Sequence, residues 1–150
     1  GGYPQGLMRL DAAAGTVGAV CEGLNAERVR GLGDLVRAPN GDLWFTDPGR
    51  SSLTDPTGRL YRLREGMTSP ELVLANVPYP NGVALSPDGK LVLVAATRAN
   101  AGGRLPAEAP DPVFTLTSNH EHLSALLRTC GLCCTANRCL ADDTRQPRRL

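Results

Sequence analysis

Aromatic side chains are scarce in this chain: one Trp, two Phe and three Tyr among 150 residues. Charge of either sign is not in excess, with a formal net charge of +1. That balance leaves no electrostatic footprint for nucleic acid or an anionic membrane surface. No apolar run reaches the roughly 18 residues that a spanning helix needs, so no membrane-spanning segment is expected. The chain opens on Gly1-Gly2-Tyr3, with no initiator Met, basic n-region or apolar h-region. A signal peptide is therefore not visible. The missing Met suggests a fragment or a processed product, and compartment is only loosely bounded, with the cytoplasm favoured. No Gly-x-Ser-x-Gly elbow, P-loop or Rossmann fingerprint is present.

What the chain has in plenty is glycine and proline, 17 and 12 residues. They favour many short elements joined by turns over long helices. The best of these is Asp34-Leu-Val-Arg-Ala-Pro-Asn-Gly-Asp-Leu-Trp-Phe-Thr-Asp-Pro48, which reads as strand, tight turn, strand and second turn. A partial copy follows as Gly82-Val-Ala-Leu-Ser-Pro-Asp-Gly-Lys-Leu-Val-Leu-Val-Ala95. Pro-Asn-Gly or Pro-Asp-Gly between two apolar runs is a strong hairpin signal. Around these lie strands expected near Gly6–Leu10, Thr16–Cys21, Gly58–Leu63 and Glu71–Ala75, with loops over 26–33 and 76–82. Pro39 and Pro87 stand 48 residues apart, and the starts Gly58-Arg-Leu60 and Gly103-Arg-Leu105 stand 45 apart. A period of about 45 to 50 with four short strands per unit is that of β-propeller blades. The expected fold is thus all-β, a β-propeller segment of about two four-stranded blades over 1–105. A non-propeller tail of uncertain structure would fill 106–150, with a strand near Val113–Thr117 and a short helix over Glu121–Arg128. The break after Leu105 fits either a real extension or a frame-altered reading.

Three stretches, 33–48, Gly58-Arg-Leu-Tyr-Arg-Leu63 and Pro80-Asn-Gly-Val-Ala-Leu-Ser-Pro-Asp-Gly-Lys90, together resemble the SMP-30/gluconolactonase/LRE-like family. The resemblance covers about 6–105 and holds the family's motif order. It implies a six-bladed propeller and a metal-dependent hydrolase of lactones or related esters. The divalent cation, calcium first and zinc second, would sit at the mouth of the channel. By resemblance, Asn81 is the metal-binding Asn. Gly33 occupies a position where many members carry Asn, and Ala96 one where an acidic residue is common. The family's N-terminal Glu ligand would lie upstream of Gly1, and its later Asp beyond Leu105.

A hard cation wants several oxygen donors converging from different segments, and once bound it polarises a carbonyl. Strand direction places Asp34 and Asn81 before inner strands, and Asp47 and Arg98 after second strands, so all four are expected at one end of the blades. Asp34, Asp47 and Arg98 are the candidate substrate-binding residues, and Asn81 the candidate metal ligand. Each has a plainer reading. Asp47 ends a strand, Asp34 satisfies backbone N–H groups of a turn or a neighbouring blade, Asn81-Gly82 is a turn dipeptide, and Arg98, like Arg30 and Arg50, is a solvated charge. Trp44 and Phe45 are expected between blades, and Cys21 is read as a small buried hydrophobe. In the tail, Cys130, Cys133, Cys134 and Cys139 with His120 and His122 give a Cys-x-x-Cys chelating pair without its second half. The competing functions are a non-catalytic propeller that binds or scaffolds, and a zinc module in the tail.

Overall fold

In the computed structural model the described residues are 6–21, 23–24, 27–110, 112–117, 132–135 and 138–141. Strands β1 (Leu7–Asp11) and β2 (Thr16–Cys21) form an antiparallel hairpin. The two-residue strands β3 (Gly23–Leu24) and β4 (Glu27–Arg28) pair with each other, so the start of the loop expected over 26–33 is part of a short hairpin. Next comes β5 (Leu35–Arg37), which Asn40-Gly41 turns back into β6 (Leu43–Asp47). β7 (Gly58–Leu63) and β8 (Glu71–Val77) complete a four-stranded antiparallel sheet in chain order. A second such sheet follows from β9 (Pro80–Leu85), β10 (Leu91–Ala96), β11 (Ala101–Pro106) and β12 (Thr115–Thr117). These are two consecutive propeller blades, each running from inner to outer strand. The last hairpin, β13 (Leu132–Thr135) with β14 (Arg138–Ala141), pairs only within itself among the described residues.

Two boundaries differ from the sequence expectation. The repeat does not stop at Leu105, because β12 pairs with β11 and closes the second blade. The sequence suggests a strand near Val113–Thr117, but not its pairing with β11 across the Pro-rich 106–112 stretch. The inner strand β9 begins at Pro80, not after Gly82. Proline is tolerated as the first residue of a strand, where no N–H is asked of it. A register shift opposite Ala96 absorbs the irregularity, so Asn81 lies on a strand and not in a loop. The stretch Glu121–Arg128 lies outside the described residues.

The core follows from the two-residue period of β6 and β7. Trp44 and Leu60 face the second blade, where they meet Val83, Val92, Val94 and Leu105. Phe45, Tyr61 and Leu63 face the other way, onto Leu7 and Cys21 of the β1–β2 hairpin. The Phe45 and Tyr61 rings stack with centroids 5.4 Å apart. All six residues of β7 are buried, as expected of a strand with a layer on either side. Its leading Gly58 is required by the next blade: a Cβ there would run into the Pro80 ring and the Val77 carbonyl.

At one end of the sheets the blades are pinned together by Arg62. Its Nε donates to the Asp42 carboxylate at 2.7 Å and its Nη1 to the Ala107 carbonyl at 2.9 Å. Nη2 reaches Glu108 at 2.9 Å, and the guanidinium lies 5.2 Å from the centre of the Trp44 ring. Asp42 also accepts from the Glu65 N–H and the Asn40 amide. Burial alone would raise the Asp42 carboxyl; the Glu65 N–H, Arg62 and Asn40 outweigh it and hold it below its ordinary value of 3.8. A carboxyl lowered by folding stabilises the fold above its unfolded pKa, and that contribution fades as pH falls through the folded value. The urea midpoint of the parent chain is therefore expected to drop below about pH 4, with Asp42→Asn losing less of its midpoint over the same range.

Candidate functional site

The opposite end of the sheets gathers the segments that the sequence singled out. Strands β5 and β9 start there, β6 and β10 finish there, and a groove of about 430 Å³ runs from Asp34 between the two inner strands. Asp34 sits at its head. One carboxylate oxygen accepts the N–H of Leu35 at 2.9 Å, and the other accepts the N–H of Val83, in the next blade, at 3.0 Å. The reading in which Asp34 satisfies a neighbouring blade's backbone is thus realised in the geometry.

Thr46 is the hub of this end. Counting by twos from Trp44 puts it on the face toward the second blade, where it is fully buried. Its hydroxyl donates to the Asn81 carbonyl at 2.6 Å and accepts the Asp34 N–H at 3.1 Å. Asp34 and Asn81 are therefore held together through one side chain that the sequence reading did not single out. The signal was available: a hydroxyl on a buried face must find partners. Asn81 itself is exposed, and its side-chain amide makes no hydrogen bond among the described residues. Gly33 leaves little room for the side chain it lacks. A Cβ there would stand 2.9 Å from the Thr46 hydroxyl, 3.2 Å from Pro48 and 3.3 Å from the Asn81 carbonyl.

Asp47 shares the end but not the side of the sheet. Odd positions of β6 face the β1–β2 hairpin, and Asp47 is buried there. It accepts the Arg59 guanidinium at 2.7 Å and the N–H of Arg30 at 3.1 Å. Arg98 lies past the end of β10. It belongs to a 3-10 turn, Thr97–Ala99, that follows β10, and its guanidinium is 5.0 Å from the centre of the Tyr79 ring. The Thr97 N–H donates to the Tyr79 carbonyl at 3.1 Å, which ties this turn to the residues just before Asn81.

These donors can be tested against a divalent cation, which needs six or so oxygens. Asn81 offers one. Each oxygen of Asp34 already accepts one backbone N–H, Asp47 lies against a guanidinium, and Gly33 offers no side chain. Among the described residues no three His, Cys, Asp or Glu side chains gather as a metal site would require. The described residues do not by themselves fit a calcium or zinc ion. The cysteine side chains of the tail lie outside the described residues.

A family profile described as the SMP-30/Gluconolactonase/LRE-like region matches residues 2–137. No curated protein matches the chain in sequence. Among solved structures, one carrying a gluconolactonase assignment superposes with a TM-score of 0.64 at 23% identity, covering 75% of this chain and 42% of that one. A gluconolactonase from Xanthomonas campestris gives 0.61 at 23%, covering 71% and 39%. A calcium-binding protein, regucalcin, from Agrobacterium tumefaciens gives 0.59 at 24%, covering 76% and 38%. The chain spans about two-fifths of the length of these structures. At these identities the likeness establishes the fold.

Proposed function

Because the chain belongs to the SMP-30/gluconolactonase/LRE-like family, we propose that its inner-strand ends form part of a site that recognises a small lactone or related ester for hydrolysis. The observation that carries this reading is the knot of Asp34, Thr46 and Asn81. It fixes the backbone on both sides of the groove while leaving the Asn81 amide facing solvent. Arg98 is assigned to substrate. Asp34 and Asp47 serve the site through what they hold, the Val83 and Arg30 backbones and the Arg59 charge. Asn81 is assigned as one ligand of a divalent cation, with the remaining donors outside the described residues. Calcium is the ion named for the Agrobacterium neighbour. A second reading, ligand binding without turnover, is favoured by Gly33 and by the occupied oxygens of Asp34.

The test is a titration of the isotope-labelled chain with glucono-γ-lactone. Backbone signals of 33–34, 79–83 and 96–100 are expected to shift, and Asn81→Ala to weaken the response about tenfold, the loss of one good polar contact. Shifts confined to the Arg62 end, or unchanged in Asn81→Ala, would overturn the assignment. Hydrolysis assayed with and without chelator separates the two readings. Chelator-sensitive turnover supports the hydrolase, and binding with no turnover supports the second reading.

A further inference from the structure

Several arginines of the two blades have a carboxylate at the end away from the groove mouth: Arg37 meets Glu65, Arg62 meets Asp42 and Glu108, and Arg64 meets Glu71, while the exposed Arg104 of β11 has none among the described residues. At the mouth, Arg59 is spent on the buried Asp47. The exposed Arg30, Arg50 and Arg98 make no ion pair among the described residues. Asp34, whose carboxylate accepts two backbone N–H groups, and Asp55, in the loop after β6, form no ion pair with any of the three among the described residues. Three guanidiniums at this end are thus without an ion-pair partner.

Arg98 differs from the other two in being held. Tyr79, directly ahead of Pro80, adopts φ 54°. For a bulky residue that is a strained left-handed conformation, costing on the order of 1–3 kcal/mol. Surrounding bonds enforce it. The Tyr79 N–H donates to the Ser51 hydroxyl at 3.1 Å, Ser51 donates to the Val77 carbonyl at 3.0 Å, and the Tyr79 carbonyl accepts from Thr97. Asn100, at φ 48°, closes the turn that carries Arg98. The result is an aromatic ring under the guanidinium. Stacking uses the flat face of the guanidinium and leaves its N–H edge open for a bidentate contact with a carboxylate.

We propose that Arg98, seated on Tyr79, reads an anion at this site, and that the ligand is a sugar lactone carrying a free carboxylate. This rests on the lactone reading for the rest of the ligand; the carboxylate contact follows from the arginines alone. Asn81 follows Tyr79 by two residues in the chain. No divalent cation is needed for the Arg98 contact.

The test compares two matched probes on the full chain in chelator: glucaro-γ-lactone, which bears a carboxylate, and glucono-γ-lactone, which bears a hydroxymethyl in its place. Glucarate, the open dicarboxylate, is the third probe. The parent chain is expected to bind glucaro-γ-lactone about tenfold tighter than glucono-γ-lactone, the worth of one charge-assisted contact. Arg98→Gln should erase the preference while leaving the thermal midpoint unchanged, because Arg98 is exposed. Arg98→Lys should recover part of it. A preference that survives Arg98→Gln, equal binding of both lactones by the parent, or no binding of any probe overturns the proposal. If glucarate binds in an Arg98-dependent manner while neither lactone does, the anion site stands and the lactone reading falls.

Discussion

Replacing Arg62 with alanine is expected to lower the unfolding free energy by about 3–5 kcal/mol, read as a lower urea midpoint. The size comes from what is left behind. Arg62 and Asp42 are both about 5% exposed, so removing the cation strands a carboxylate away from water. The Ala107 carbonyl also loses its guanidinium donor, and Glu108 loses its partner. Converting both Arg62 and Asp42 to apolar residues should recover only part of the loss. Asp42 additionally caps the Glu65 N–H and receives the Asn40 amide, and those groups would remain unserved. A double variant fully as stable as the parent would show that the cluster contributes nothing net.

Trp44→Ala should cost a comparable amount, about 3–5 kcal/mol, through a cavity between the blades. Trp44 is 2% exposed and packs among Leu60, Val83, Val92, Val94 and Leu105, so the surrounding side chains belong to two sheets that cannot collapse independently. It also carries the Arg62 guanidinium on its ring. The two substitutions are therefore expected not to add. A double-mutant cycle should give a coupling of roughly 0.5–3 kcal/mol, within the range for residues in contact. Simple additivity would mean that the ring and the guanidinium act separately.

The blades were legible because their signals are local. Pro-Asn-Gly and Pro-Asp-Gly set two hairpins, and Gly58–Leu63 reads as a strand, which the structure buries on both faces. The expectation that Trp44 and Phe45 lie between layers follows from the same period, and each goes to a different cluster. The site was less legible because its bonds join residues 35 and 49 positions apart, in different blades. Asp34 meets Val83 and Thr46 meets Asn81 across blades, and no short pattern encodes such a pairing. Asp47 shows the limit of reasoning from strand ends. It lies at the expected end, yet parity turns its side chain toward Arg30 and Arg59 and away from Asn81. Tyr79 could not be foreseen either, since an aromatic residue has no preference for the conformation it holds.

Arg62 must wait for its partners while the chain is being made. Asp42 and Trp44 leave the ribosome before it, but the Ala107 carbonyl follows 45 residues later. At about 5–20 residues per second that is a delay on the order of seconds, far longer than a hairpin needs to close. During it the nascent first blade displays Trp44 and a half-served guanidinium on the face that the second blade will cover. The smallest unit that translation must deliver before this ion cluster can close is the pair of blades.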